Sequence, residues 1–491
     1  MKKLLSIIVM LTFVLSLAAC GDDTNGDDNG RTPSNDNGDN NDSGDNNDNG
    51  DNGGSTIDLQ GQEFVIFADS PNTRDPRDDR YNGLHQSEKE ALIDAVEEKY
   101  NIEVVFRAYP SNASWGGARN RWIVNNVVSG SPQGHIYEMP STSIPELAEA
   151  GVILDLTDYM DIYGDPAFPD EKKEFGRFLD GYYTYDDYLP INENGIYYNM
   201  ELLADLGFED DLPTQMWLDG DWNWDNMEGL FKDIDDAISD RDDHYVMGGR
   251  TYNWSYGMVH ANGGHFINDQ LDIGILDAPT INTLQYMADL YEDIAWRSES
   301  SLSNTVEQEF LEGRIVFHNG SYWHTFNESR FGNRSWSDIG FVPYPTGDNT
   351  EEDLSNYGNM LTFGPRTYLV SRGYEKENIP EGYEDFFIHD ELIFQIWSEM
   401  QYFADIDDAY LDFQLELYQY YANDVSVDAH VSVLDVLNNE LYYALGTDVH
   451  GHVEGSVMIE MEGAIKDNEV RSTMEAMHPI LQALIEERFS E

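Results

Sequence analysis

Gln62-Glu-Phe-Val-Ile-Phe-Ala68, the segment Ser87–Tyr100, and Ile102-Glu-Val-Val-Phe-Arg-Ala108 together decide the fold class. The first and third are short runs rich in β-branched and aromatic residues, which read as buried strands. Between them, apolar residues at 91, 92, 95 and 96 mark one face of a helix. Strand, helix and strand in that order predict a parallel βαβ unit. The pattern continues with a helix at Trp122–Val128, a Ser-Pro-Gln-Gly turn and a short strand at His135–Glu138. Ligands of such sheets collect at the carboxyl ends of the strands, which here are Asp69–Arg74 and Glu138–Thr142.

Further along, Tyr182–Asn199 reads as extended chain and Met200–Leu206 as a helix. Helices are also expected at Trp224–Ile238, capped by Asp221 or Asn223, and at Ala278–Trp296, Thr305–Glu312 and Glu384–Phe403. Asp338–Tyr344 reads as extended, and the remainder to Glu491 as mainly helical. The length exceeds that of one ordinary domain, so two lobes are expected.

The amino end has its own logic. Lys2 and Lys3 precede an apolar run from Leu4 to Ala19, which is too short to span a bilayer comfortably and fits a secretory signal. It ends in Leu17-Ala-Ala-Cys20-Gly21, similar to a bacterial lipobox. Cys20 is the only cysteine, so no disulfide can form within the chain. The expected mature chain begins at Cys20 with lipid on its sulfur. Residues 21–54 hold ten Asp, one Arg and no large apolar side chain. Such a segment buries too little surface to offset its chain entropy and reads as a self-repelling tether.

The net charge is −67. Acid spread this widely argues against nucleic acid as a partner, because phosphate binding needs clustered Lys and Arg. Aromatic residues make up 13% of the chain, with 30 Tyr and 10 Trp, which suits stacking on sugar faces. Asp448-Val-His-Gly-His-Val-Glu454 places two imidazoles on one side of an extended strand, but zinc needs three or four converging ligands and the pair reads as a polar loop. No metal or cofactor is expected. The sequence holds no Walker loop, no His-Glu-x-x-His and no Gly-x-Ser-x-Gly.

Four segments carry a resemblance. They are Pro145-Glu-Leu-Ala-Glu-Ala-Gly-Val-Ile-Leu-Asp-Leu-Thr157, Gly195-Ile-Tyr-Tyr-Asn-Met-Glu-Leu-Leu-Ala-Asp-Leu-Gly207, a run in several pieces, and Asn356-Tyr-Gly-Asn-Met-Leu-Thr-Phe-Gly364. The pieces of the run are Asn262-Gly-Gly264, Phe310-Leu-Glu-Gly-Arg-Ile-Val-Phe317, His318-Asn-Gly-Ser-Tyr-Trp323 and Ile339-Gly-Phe-Val-Pro-Tyr-Pro345. In order and spacing they resemble family 1 bacterial extracellular solute-binding proteins, the capture subunits of carbohydrate ABC importers, over roughly residues 60–400. The resemblance implies an α/β, two-lobed, type II periplasmic-binding-protein-like fold, each lobe a mixed sheet flanked by helices, with a hinge between. Residues 1–19 would be the signal and 20–56 the lipidated tether; 57–190 with 345–398 would form lobe 1, and 191–344 with 399–491 lobe 2. Crossings are expected near Pro190, near Tyr344 and near residues 395–405. The implied partners are a carbohydrate, ABC permease subunits and, through Cys20, the membrane; the chain would be a monomer on the outer face of the cell membrane. A secreted glycoside hydrolase or lyase, or a glycan-binding adhesin, is the alternative.

A sugar presents an apolar face and a rim of hydroxyls, so its site needs aromatic faces together with carboxylates, amides or Arg. Trp323 and Tyr322 match the family's stacking position, and Asn253 and Trp254 its cleft contacts ahead of the glycine turn. Asn262 and His265 lie at that turn, where a turn-stabilising role competes. Asp69 and Glu138 end the two strands, with Asn72 and Arg74 following the first. Trp115 precedes a helix near the cleft, Asn194 lies beside the first crossing and Asn359 beside the return.

Overall fold

The structure, a computed structural model, describes residues 57–188, 192, 194–268, 271–298, 305–328, 330–351, 354–358, 366–404, 406–434, 436 and 457–489. Cys20 with the signal and tether, Pro190, Asn359 and the segment Asp448–Glu454 lie outside the described residues.

Eleven strands appear among the described residues: β1 (Gln62–Ala68), β2 (Ile102–Ala108), β3 (Ile136–Pro140), β4 (Arg177–Phe178), β5 (Gly181–Tyr182), β6 (Asn194–Asn199), β7 (Tyr245–Gly248), β8 (Trp296–Arg297), β9 (Ile315–Ser321), β10 (Ile339–Val342) and β11 (Arg366–Val370). They build a first sheet in the order β11-β3-β1-β2, a second in the order β10-β6-β9-β7-β8, and the small β4–β5 pair. β1 is parallel to β2 and β3, as the βαβ reading requires, and β11 closes the sheet antiparallel to β3. In the second sheet β6 runs against both β9 and β10, while β7 is parallel to β8 and β9.

Alternation along each strand supplies two cores per sheet. Phe64 and Ile66 pack with Ile93 and Val96 of the helix Gln86–Tyr100 and with Ile396 and Trp397 of the helix Asp390–Glu399. Val65 and Phe67 face the other way, onto Ile123 and Leu147. In the second sheet Ile196 and Tyr198 meet the helices Trp224–Ile238, Ala278–Asp293, Val457–Lys466 and Val470–Phe489. Tyr197 and Phe341 meet Phe413, Leu417 and Val427 on the opposite side. Helices thus flank two mixed sheets, as expected. Among the described residues no helix is long and apolar enough to cross a membrane.

The helix Trp224–Ile238 has the expected bounds, with Asn223 accepting from the Asn226 N–H as its cap. Several boundaries differ. The helix expected at Trp122–Val128 already begins at Gly116, and the strand expected to end at Glu138 runs on to Pro140. The helix expected at Glu384–Phe403 spans only Asp390–Glu399, because the His389 side chain caps it by accepting from Leu392 N–H. Phe386 and Phe387 stay exposed ahead of that cap. The helix expected to reach Trp296 stops at Asp293, since the chain turns there into β8.

Candidate functional site

The topology brings two sets of strand ends to the places where the chain passes between the sheets. It leaves the first sheet after Tyr188 and enters the second at Asn194. After β10 it stays against the second sheet's helices as far as Gly358, whose N–H donates to His260 O, and it is next described at Arg366 in the first sheet. Since β11 is antiparallel to β3, Arg366 pairs with Pro140 and lies at the carboxyl end of β3. Asn194 pairs with Ser321, so the entry to β6 lies at the carboxyl end of β9 and, by the parallel pairing, of β7. The passage from Tyr188 to Asn194 therefore joins the carboxyl ends of the parallel strands of both sheets.

On the first sheet this end is a cluster of five charges. Glu138 is 1% exposed. One of its oxygens accepts from Arg74 Nε at 2.9 Å and Arg366 Nη1 at 3.0 Å, and the other from Asp69 N–H at 2.8 Å. The Asp69 carboxylate takes Arg366 at 3.0 Å on one oxygen and Arg119 on the other. Arg119 is itself buried, held by the Ala113 and Ser114 carbonyls, with its guanidinium 3.8 Å from the Tyr109 ring centre and 5.3 Å from Trp115. Tyr109 in turn donates to Glu138 O at 2.9 Å. Burial alone would raise the Glu138 carboxyl; Arg74, Arg366 and the Asp69 N–H outweigh it and hold it down at about 2. Tyr188 stands between Arg74 and Lys172, 5.7 Å from each, stacked on Tyr368. A cavity of about 60 Å³ lies behind Arg74 and Tyr188, with room for a water or two rather than a sugar ring.

Sequence reading placed Asp69, Glu138 and Arg74 at this end, and the structure brings all three into contact. Both carboxylates are consumed by arginines, so they position guanidiniums rather than stand open to a hydroxyl. Trp115 is 49% exposed and joins the cluster through Arg119. Asn72 faces Arg80 at the loop's far side instead. Arg119 and Arg366 were missed. A buried arginine in the first turn of a helix and an arginine opening a strand carry no local signature, although excess acid at two adjacent strand ends signals that cations must arrive from somewhere.

On the second sheet, Asn194 begins β6, buried, accepting from Ser321 Oγ at 2.6 Å. Trp323 is half-buried in a tight turn (Tyr322–His324) beyond β9, with the Arg330 guanidinium 5.7 Å from its ring. Its neighbour Tyr322 points into the core against Phe413 and His430, as adjacency demands when only one of two side chains can face outward. Asn253 lies on the helix Thr251–Ala261, which starts just past β7, and its Oδ1 is buried with no partner among the described residues. Gly249 makes that turn possible: its φ is +104°, and a Cβ there would sit 2.5 Å from Asn319 Oδ1.

Three expected residues lie elsewhere. Trp254 is fully buried; its indole N–H donates to Gly248 O at 2.9 Å and its ring packs on Trp296 and Tyr344. It is a core residue because the segment is helical, and a helix turns adjacent side chains about 100° apart. Asn262 and His265 follow the other end of the same helix, roughly 16 Å along its axis from the strand ends. Asn262 ties that end together, donating to Pro279 O and Thr283 Oγ1 and accepting from Asn349 N–H. His265 packs its ring against Gly274. Among the described residues no group of three or more His, Cys, Asp or Glu is placed to hold a metal ion.

The family model described as bacterial extracellular solute-binding protein matches residues 82–377, more than half of the chain. No curated protein matches the sequence. Among solved structures, the cyclic alpha-maltosyl-1,6-maltose binding protein from Arthrobacter globiformis is similar at TM-score 0.56 and 14% identity, over 87% of this chain and 100% of that one. The ABC substrate-binding protein Lmo0181 from Listeria monocytogenes, in complex with cycloalternan, gives 0.55 and 14% over 87% and 99%. UgpB from Mycobacterium tuberculosis, in complex with glycerophosphocholine, gives 0.55 and 13% over 87% and 98%. These likenesses establish the fold, the two-lobed type II arrangement of such binding proteins.

Proposed function

The chain belongs to the bacterial extracellular solute-binding proteins, and we propose that it captures a carbohydrate between its lobes and delivers it to the permease of an ABC importer. The observation that carries this reading is the convergence of both sheets' strand ends on the passage from Tyr188 to Asn194. One end offers Trp115 and the arginine cluster; the other offers Trp323, with Asn253 in the first turn of the helix that follows β7. Aromatic faces and polar groups from two sides are what a sugar requires. That two structural neighbours are described with oligosaccharides supports the carbohydrate class.

Closing requires a ligand that touches both lobes, because only differential affinity for the closed state shifts the balance. Small-angle scattering with a glycan confirmed by calorimetry is expected to give a smaller radius of gyration. An unaltered curve with a bound glycan would overturn the trap mechanism; an enzyme with a preformed cleft or an adhesin with a flat site would behave that way.

Trp323→Ala is expected to weaken glycan binding by about 1–4 kcal/mol, the span for an aromatic at an interface centre. Because the ring is only half-buried, the melting temperature should hardly move. Equal affinity in a folded variant rejects the assignment.

Attachment through lipid on Cys20 is part of the same reading, motivated by Leu17–Gly21 and the lone cysteine. Cys20→Ser is expected to move the protein from the membrane fraction to the medium; full retention of the variant in membranes would refute lipid anchoring.

A further inference from the structure

The charges at the first sheet's carboxyl ends do not balance. Arg74, Arg119 and Arg366 oppose only Asp69 and Glu138, while the nearby Lys172 and Lys89 are each matched by a carboxylate of their own, Asp186 and Asp187, at 2.9 Å. Every carboxylate oxygen of the pair is occupied by a donor. The guanidiniums are not used up. Among the described residues Arg366 engages only Nη1, and Arg74 only Nε and Nη1. Arg366 therefore keeps free its Nε–Nη2 edge, the side on which two parallel N–H bonds can meet one planar or tetrahedral anion. The Arg366 side chain as a whole is 38% exposed.

A neutral sugar hydroxyl is donor and acceptor at once, so a site made for it mixes both. This end offers donors and positive charge, with its acceptors already spent, in a chain holding 94 acidic and 27 basic residues. Such a surplus is set against the character of the whole molecule. The acidic surface repels anions at long range, but that repulsion is screened within a Debye length of about 8–10 Å at ordinary salt. The paired arginines act at contact.

We propose that the solute is an anionic oligosaccharide, whose carboxylate or sulfate group docks on the free edge of Arg366 with Arg74 beside it and Trp115 against the sugar face. This deepens the sugar-capture reading and rests on it. The test is calorimetry on the full folded chain with matched probes: maltotriose and cellotriose as neutral sugars, trigalacturonate with its fully methyl-esterified counterpart, and a sulfated carrageenan tetrasaccharide. The expected result is binding of a charged probe, with neutral sugars or the ester roughly tenfold weaker or worse, as loss of a charge-assisted hydrogen bond implies. Which charged probe binds separates carboxylate from sulfate. Arg366→Gln should lower affinity for the charged probe by about tenfold or more, while Arg366→Lys restores part of it as a point charge without the fork. The esterified probe provides a readout that does not depend on how either variant folds. Neutral sugars or the ester binding as tightly as the charged probes overturn the anion inference and leave sugar capture standing. Failure of all five to bind overturns both.

Discussion

Glu138→Gln is expected to destabilise the fold by about 3 kcal/mol at pH 7, the lower end of the range for breaking a buried ion pair. The side chain is 1% exposed and is the acceptor for two guanidiniums and the Asp69 N–H. An amide keeps the shape but leaves Arg74 and Arg366 with one carboxylate, Asp69, between them and Arg119. The lower end applies because Arg366 can turn toward water. The pH dependence carries the diagnosis. In the folded state the carboxyl sits at about 2, below its ordinary 4.5. The stabilisation is therefore fully present above pH 4.5 and lost as pH falls toward 2. Denaturant unfolding should show wild type and variant furthest apart at pH 7 and converging through that window. Parallel profiles down to pH 2 would mean that Glu138 is not held as a charged acceptor.

Trp254→Ala should cost about 3–5 kcal/mol, the usual penalty for emptying a large buried aromatic site. The change also strands the Gly248 carbonyl at the end of β7, which now accepts from the indole N–H. Glycan affinity, measured at a temperature where the variant is still folded, should be close to wild type. A selective loss of affinity with unchanged stability would return Trp254 to the binding site.

Asn253 and Trp254 show how far sequence carries. Their distance from the glycine turn suggested a shared role, but the helix between them and that turn decides which side chain looks out. Nothing in a single sequence fixes helix phase when Tyr252, Trp254 and Tyr256 are all large and all buried. The strands were easier. β1, β2 and β3 are bounded by turn residues and the parallel pairing follows from their order, so the carboxyl ends, and with them Asp69 and Glu138, could be located. The cations that meet them could not. Arg366 lies 228 positions from Glu138, and a pairing that distant leaves no local period to read.

That separation bears on how the protein comes into being. The first sheet begins at residue 62, yet β11 seals the open side of β3 and Trp397 then fixes Tyr185 through an indole hydrogen bond. A chain emerging amino end first must expose every strand of the second sheet before the first sheet can finish. Throughout that interval β3 presents a bare edge, the kind on which unfinished copies pair with one another. The abundant acid of the chain then has a use before any solute arrives: it keeps half-made molecules apart while the last strand is on its way.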